Sequence, residues 1–353
     1  MPEKPLRSAV VGLRMGAGHA RVMNDLDDYD VTAICDIDEE TTRKVAADLG
    51  DVSIYTDYDE MLAAEEPEVV AVATPNTSHA ELTVKAAHSG ARGICCEKPI
   101  ATCMDEAREM LAACREHGTR LIVNHQRRMS RPLVRMRQLI EQGAIGELYL
   151  LRGTCAGDIL SDGTHLVDSL RWLAGDEEVR WVLGQVYREA PPEEEGKAAG
   201  YHVSGGYRYG HPVETGGMAV FEFESGVRAE ILCGEARFPR RNYQDYEVFG
   251  TKGRLWRQGD RAEPPVLIWD EEAGGWRGVE DAERSSRREP MRESYAAFAE
   301  FIRRGGEHPL SGESGARDLE VIMAVYESAR ANSKVEMPLE QGAFPLELML
   351  AKR

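Results

Sequence analysis

The strongest constraint on this chain is the grammar of its first third, where short, wholly apolar runs alternate with stretches whose apolar residues recur at helical spacing. Residues 6–13, 31–35, 69–73, 93–96 and 121–123 are continuous apolar or β-branched segments, the pattern of strands covered on both faces. Between them, residues 39–49, 58–64, 78–89 and 102–117 read as helices, several opened by capping types such as Asp38, Asp57 and Thr77. Repeated strand–helix units need crossover connections and therefore parallel pairing. They predict a doubly wound α/β sheet of the Rossmann type.

The grammar changes after about residue 125. A helix at 131–142, a strand at 147–154 and a helix at 164–174 lead into strands at 179–188, 218–223, 227–233, 243–249, 253–257 and 266–269, with Ser225-Gly226 as a hairpin turn. Helices at 294–304 and 315–332 close the chain, and 190–210 and 280–290 read as surface loops. The expectation is a dinucleotide-binding domain over 1–124 and a second α/β domain over 125–353, built on a mostly antiparallel sheet. Such a sheet buries one face and leaves the other to solvent, helices or another subunit.

At 353 residues the length suits two domains, and 42% hydrophobic with 29% charged residues excludes a disordered chain. The formal charge of −18 opposes binding to nucleic acid or anionic lipid. No apolar run reaches the roughly 18 residues of a membrane span, and the first residues lack the apolar stretch of a signal peptide, so a cytoplasmic protein is expected. The seven cysteines include no Cys-x-x-Cys pair, which predicts buried thiols and no metal site.

The sharpest local signal is Val10-Val11-Gly12-Leu13-Arg14-Met15-Gly16-Ala17-Gly18-His19, a Gly-rich turn between a strand and a helix. Backbone N–H groups at such a helix start hold a pyrophosphate, which makes Gly12, Arg14, Met15 and Gly16 candidate cofactor residues. Arg14 stands where the fingerprint has its second glycine, and its guanidinium either meets a phosphate or forms a surface ion pair. Asp36, 24 positions after Gly12, is placed to accept from ribose hydroxyls and to repel a 2′-phosphate, favouring NAD over NADP. The other reading has Asp36 capping the next helix together with Asp38.

Three further segments carry chemistry: Thr74-Pro75-Asn76-Thr77-Ser78-His79, then Cys96-Glu97-Lys98-Pro99, then Asp162-Gly163-Thr164-His165-Leu166-Val167-Asp168 before a helix. Singly, His79 reads as a helix-start histidine, Lys98 as a solvated lysine and His165 as a buried residue bonded to Asp168. Together with the Gly-rich turn and Asp36, and in this order, they resemble the Gfo/Idh/MocA family of glucose-fructose oxidoreductase, inositol dehydrogenase and their relatives. The resemblance spans essentially the whole chain. It implies a Rossmann domain, a second domain with a large open sheet, dimers or tetramers, and action on sugars, polyols or their derivatives.

Carried over residue by residue, the resemblance makes Lys98 the group beside the nicotinamide that bonds the reacting oxygen, and His165 the proton-transfer residue. Thr74, Pro75, Asn76 and His79 match the loop passing the nicotinamide ribose, and Glu97 matches a ribose or nicotinamide neighbour. Many members carry an aspartate four residues before the histidine, where this chain has Ser161. Asp162, Asp158 or Ser161 itself takes that place. Asp168 and Arg171 read as a structural ion-pair row. Asn124-His125-Gln126-Arg127-Arg128 resembles the family's domain-junction segment, where Arg127 either faces an acidic or heavily hydroxylated substrate or is solvated. The loop Tyr207-Arg208-Tyr209-Gly210-His211-Pro212-Val213-Glu214 either shapes the substrate pocket or packs on its own tyrosines.

The expected activity is NAD-dependent hydride transfer at a hydroxyl or keto carbon of a sugar, inositol or related polyol. Removing hydride from a carbinol requires that its hydroxyl lose a proton, so a lysine and an imidazole near the oxygen suit the task. Two alternatives are an NAD-dependent glycoside hydrolase working through transient oxidation and elimination, and a non-catalytic nucleotide-binding protein.

Overall fold

The computed structural model describes residues 3–188, 206–236, 242–271 and 274–351, with the backbone alone of two short strands at 197–198 and 201–202. Residues 190–205 of the expected loop, those strands apart, lie outside the described residues. The chain packs as two units. One comprises residues 1–126 with 287–316, the other 127–286 with 317–353.

The first unit alternates strand and helix: β1 (Leu6–Val11), α1 (Leu13–Asn24), β2 (Tyr29–Cys35), α2 (Glu39–Leu49), β3 (Ser53–Tyr55), α3 (Tyr58–Glu65), β4 (Val69–Val72), α4 (His79–His88), β5 (Gly93–Cys96), α5 (Met104–His117) and β6 (Arg120–Val123). All six strands are parallel, in the order β3-β2-β1-β4-β5-β6. This is the doubly wound sheet the alternation requires. Every residue of β4 and β5 is buried, as continuous apolar runs demand.

The second unit contributes α6 (Arg131–Glu141), β7 (Leu148–Cys155), α7 (Gly163–Leu173), β8 (Val179–Tyr187), the two-residue strands β9 (Lys197–Ala198), β10 (Tyr201–His202), β11 (Tyr207–Arg208) and β12 (His211–Pro212), then β13 (Gly216–Phe223), β14 (Arg228–Gly234), β15 (Gln244–Gly250), β16 (Gly253–Gln258), β17 (Leu267–Asp270) and β18 (Gly275–Gly278). After α8 (Glu289–Arg304), which belongs to the first unit, come α9 (Gly312–Ala331), β19 (Val335–Glu336) and α10 (Pro345–Leu350).

Nine of these strands form one mixed sheet, β18-β17-β16-β15-β7-β14-β13-β8-β19, antiparallel except where β7 meets β14. Alternation sorts its two faces. Leu151, Val182, Phe221, Ile231 and Val248 point to the buried side, where Leu166 and Leu170 of α7 lie directly over Gly153. On the other side Leu183, Met218 and Tyr149 remain exposed around ion pairs such as Arg152–Glu230 at 2.9 Å.

In the first unit α8 lies on the parallel sheet, with Phe298 and Ile302 pressed over Gly93, where a side chain would collide with both. The Tyr29 hydroxyl donates to the Tyr295 carbonyl at 2.6 Å, and Arg303 pairs with Asp28. Among the described residues no helix is long and apolar enough to cross a membrane.

Candidate active site

In the first unit the strand register places the chemistry-bearing segments side by side. Val11 pairs with Val72 and Val72 with Cys96, so Gly12, Thr74 and Glu97-Lys98 all leave the sheet at its carboxyl edge. That edge is where open α/β sheets bind ligands.

Gly12 turns the chain from β1 into α1 with φ of +85°, and a Cβ there would lie 2.6 Å from the Ala73 carbonyl oxygen. Only glycine satisfies both conditions. Gly12 has no side chain to cap α1, so apart from the Leu13 N–H its opening N–H groups are left for an anion, while Arg14 and Met15 stand exposed on the first turn. The Leu13 N–H donates to one Asp36 carboxylate oxygen at 2.6 Å and the Asp38 N–H to the other at 2.9 Å. Capping of α2 falls to Asp38, which accepts from the Glu40 and Thr41 N–H groups. Asp36 is thus oriented by the turn itself, with lone pairs remaining on both oxygens. Beside it Ile37 is almost fully exposed, an apolar surface next to the ribose-binding candidate.

The loop after β4 is held from within. Ser78 Oγ donates to the Pro75 carbonyl and meets the Thr74 hydroxyl, each at 2.8 Å. His79 is buried between two main-chain carbonyls, Pro99 O at 2.8 Å from Nδ1 and Thr74 O at 2.9 Å from Nε2. Burial lowers its pKa in spite of those two acceptors. His79 therefore ties the Thr74–Ser78 loop to the segment that follows Lys98.

Glu97 is buried and Lys98 half-buried at the end of β5. One Glu97 oxygen lies 2.8 Å from His19 Nε2 and accepts from the Asn124 amide at 2.6 Å; the other accepts from the Lys98 N–H at 3.2 Å. His19 Nδ1 lies 2.6 Å from the Tyr295 hydroxyl. Burial alone would discharge this imidazole, but hydrogen bonds to Cys95 and Glu97 and the Glu97 charge outweigh it and raise the pKa to about 10. Burial opposes ionisation of Glu97 as well, yet the His19 hydrogen bond and charge, Lys98 and Asn124 hold it at about 2. The pair is a buried imidazolium–carboxylate ion pair.

The second unit carries the other candidate residues on a turn between β7 and α7. His165 is buried on the first turn of α7. Asp162 just before it accepts from the Tyr243 hydroxyl at 2.7 Å and from Arg208 Nη1, and the same nitrogen donates to Asp158 at 2.7 Å. Asp158 in turn accepts from the Ser161 N–H at 2.6 Å. Gly157 admits this arrangement, since a Cβ there would lie 1.8 Å from an Asp162 oxygen. Ser161 Oγ lies 3.1 Å from His211 Nε2, and burial lowers the His211 pKa, leaving a neutral ring. Glu214 accepts from the Ile159 N–H at 2.6 Å and the Tyr326 hydroxyl at 2.7 Å, and burial pushes its pKa up to about 7.

Several sequence readings change here. In the 207–214 loop Tyr207 and Tyr209 are exposed, Arg208 lies over the Tyr209 ring at 4.7 Å, and the buried polar members are Arg208, His211 and Glu214. Arg127 is not a solvated cation, because Asp260 binds its guanidinium at 2.8 and 3.1 Å and it lies over the Tyr243 ring. Asp168 and Arg171 sit in buried ion pairs with residues from other segments, Asp168 with Arg128 at 2.7 Å and Arg171 with Asp318 at 2.5 Å. Arg208, Tyr243 and Tyr295 were not singled out as partners of the site. Their contacts span 46, 81 and 276 residues of sequence, and no local pattern records them.

Comparison with known proteins agrees with this geometry. Residues 6–125 match the family model of the NAD-binding Rossmann fold of Gfo/Idh/MocA oxidoreductases, and residues 152–337 match that family's C-terminal alpha/beta domain. The chain belongs to the Gfo/Idh/MocA oxidoreductase family. It is 28% identical to a D-apiose dehydrogenase of Paraburkholderia graminis over 95% of this chain and 90% of that protein. It is 27% identical to a myo-inositol 2-dehydrogenase of Thermotoga maritima over 94% of this chain and 98% of that protein. A solved levoglucosan dehydrogenase, in complex with NADH and L-sorbose, shares the fold at a TM-score of 0.79 over 95% of this chain and 100% of its own, with 22% identity. The protein is an oxidoreductase with an NAD-binding Rossmann domain.

Proposed function

We propose that this protein is an NAD-dependent dehydrogenase that oxidises a secondary hydroxyl of a sugar or polyol, or runs the same step in reverse. The observation that carries the reading is the alignment at one sheet edge of the Gly12 turn, the oriented Asp36 carboxylate and the half-buried Lys98. The substrate class follows the sugar and polyol dehydrogenases among its relatives.

The residues present fit NAD. The Gly12 cradle would be filled by any Cβ, and the uncapped start of α1 offers N–H groups to a pyrophosphate. In this reading Gly12, Arg14, Met15 and Gly16 hold the pyrophosphate, Asp36 accepts from the adenosine ribose, and Thr74, Pro75, Asn76, His79 and Glu97 line the nicotinamide end. When bound, NAD supplies the acceptor for the hydride. The Lys98 ammonium stabilises negative charge developing on the substrate oxygen, and a neutral His165 imidazole takes the hydroxyl proton as the C–H electron pair departs and the carbonyl forms. Ser161, Asp162 and Arg127 bound the substrate side. Because Arg208 and Tyr243 hold Asp162 on both oxygens, its role is to orient the turn before His165.

The test is growth of NADH absorbance with NAD and a panel of polyols and aldoses, lost in Lys98→Ala while NAD affinity persists. Release of a chromogenic aglycone without that growth would replace this reading with glycoside hydrolysis. NAD binding with neither signal would leave a nucleotide-binding protein.

The exposed sheet face with Tyr149, Leu183 and Met218 suits a second copy of the chain, and we place the working state as a homo-oligomer. A monomeric mass by light scattering at micromolar concentration would refute that. All seven cysteines are free thiols, which favours a reducing, cytoplasmic setting.

A further inference from the structure

We infer that His19 is the positioning residue for Lys98, acting through the Glu97 carboxylate that it clamps together with Tyr295 and Asn124. The inference rests on the reading of Lys98 as a catalytic residue. Its basis is a continuous chain of contacts within one unit. The Tyr295 hydroxyl on α8 meets His19 Nδ1 at 2.6 Å, His19 Nε2 meets Glu97 Oε1 at 2.8 Å, and Glu97 Oε2 receives the Lys98 N–H at 3.2 Å. Asn124, just past β6, donates to the same Glu97 oxygen as His19 at 2.6 Å.

Each member comes from a different element. His19 lies two turns into α1, the helix whose N-terminus faces the pyrophosphate in the proposed complex, so one side chain links the phosphate-binding turn to the segment bearing the lysine. As an imidazolium it donates from both ring nitrogens, which fixes its plane. The groups that face it are Tyr295 from α8, Cys95 from β5, Glu97 and Asn124, while Tyr29 of β2 donates to the Tyr295 main chain. Lys98 is the further charge acting on Glu97.

The arrangement has an electrostatic consequence. His19 neutralises Glu97 from the inner side, so the carboxylate adjacent to the catalytic amine is already compensated. Without the imidazolium, Glu97 would face Lys98 as an uncompensated negative charge, favour the protonated form of the amine and lose the partner that holds its carboxylate against the Lys98 main-chain N–H. A group that positions a reacting amine alters turnover more than binding, since small displacements at a reacting centre are costly.

The experiment compares His19→Gln and Tyr295→Phe with the unaltered full-length enzyme by two readouts. The first is independent of turnover: the rate at which trinitrobenzenesulfonate labels Lys98 as a function of pH, followed by peptide mass spectrometry. His19→Gln is expected to move the midpoint of Lys98 labelling to higher pH, with Tyr295→Phe moving it less in the same direction. The second is steady-state kinetics with the best polyol or aldose of the panel, where kcat is expected to fall about 10-fold or more while NAD affinity changes less than about 3-fold. Unchanged labelling and unchanged kcat per folded molecule in Tyr295→Phe, even with a lowered melting temperature, would overturn the inference and leave the network as packing alone. Lys98→Ala separates the two failures. Retained turnover there refutes Lys98 as catalytic, whereas lost turnover together with indifferent His19 and Tyr295 variants refutes only the positioning role.

Discussion

The candidate residues of the two units are held by different physics. In the first unit, main-chain geometry and short-range hydrogen bonds set the cofactor residues: Gly12 by its dihedral and the Ala73 carbonyl, Asp36 by two N–H groups, the Thr74–Ser78 loop by Ser78 and His79. In the second, the turn before His165 is suspended from side chains that arrive from distant strands, Arg208 on Asp158 and Asp162, Tyr243 on Asp162, and Glu214 on Ile159. A backbone-held half presents one cofactor in one way. A half hung on exchangeable side chains can be re-cut for new substrates without disturbing the nucleotide end, provided its buried charges stay balanced.

The contrast is broken most severely at Arg208. Replacing it by Met leaves two buried aspartates uncompensated, and the expected loss is about 3–5 kcal/mol in denaturant unfolding. Adding Asp158→Asn and Asp162→Asn to that variant should restore part of it, and failure to do so would mean that the guanidinium acts by packing. Next in size is Gly12→Ala, where the positive φ and the 2.6 Å approach to Ala73 predict a loss of about 1–3 kcal/mol in thermal unfolding, together with loss of NAD binding. A variant that melts normally and binds NAD would show that the turn is not the cradle. Asp36→Ala sharpens the comparison at smaller cost, with the preference for NAD over NADP in binding expected to narrow roughly tenfold. An unchanged ratio would remove Asp36 from the ribose.

The smallest effect is a difference in pH response between the halves. Glu214 has its folded pKa raised to about 7 from 4.5, so the folded state binds a proton that the unfolded state has released. Its contribution to stability therefore declines as pH rises from about 4.5 to about 7 and is flat beyond. Glu214→Gln should flatten that slope in urea titrations across this range. The His19–Glu97 pair runs otherwise: the imidazole's contribution is full below about 6.5 and declines as pH rises from there to about 10, the carboxylate's is full above about 4.5 and declines as pH falls from there to about 2, and the pair is flat between about 4.5 and 6.5.

The same division explains what the sequence revealed. Five of the six parallel strands were legible as continuous apolar or β-branched runs, whereas β3, with three residues and two exposed side chains, left no pattern. The return of 287–316 to the first unit was invisible because α8 is an ordinary amphipathic helix whose destination is set by Gly93 and Tyr29, far away in sequence. The places of Gly12, Asp36, Glu97 and Lys98 at strand ends were legible because strand ends and turns have local signatures. The partners of Arg208 were not legible for the opposite reason, since an arginine flanked by tyrosines in a glycine-bounded loop looks the same whether it meets solvent or a pair of buried aspartates.

One consequence concerns how the molecule is made. The nucleotide-binding lobe draws its last helix from residues 289–304, so a nascent chain that has emerged only to residue 126 already carries six strands but lacks the hydroxyl that caps His19 and the apolar cover over Gly93. Translation must run past residue 304 before that lobe can close, and excising the first 126 residues would yield a fragment with an open flank in place of a free-standing domain.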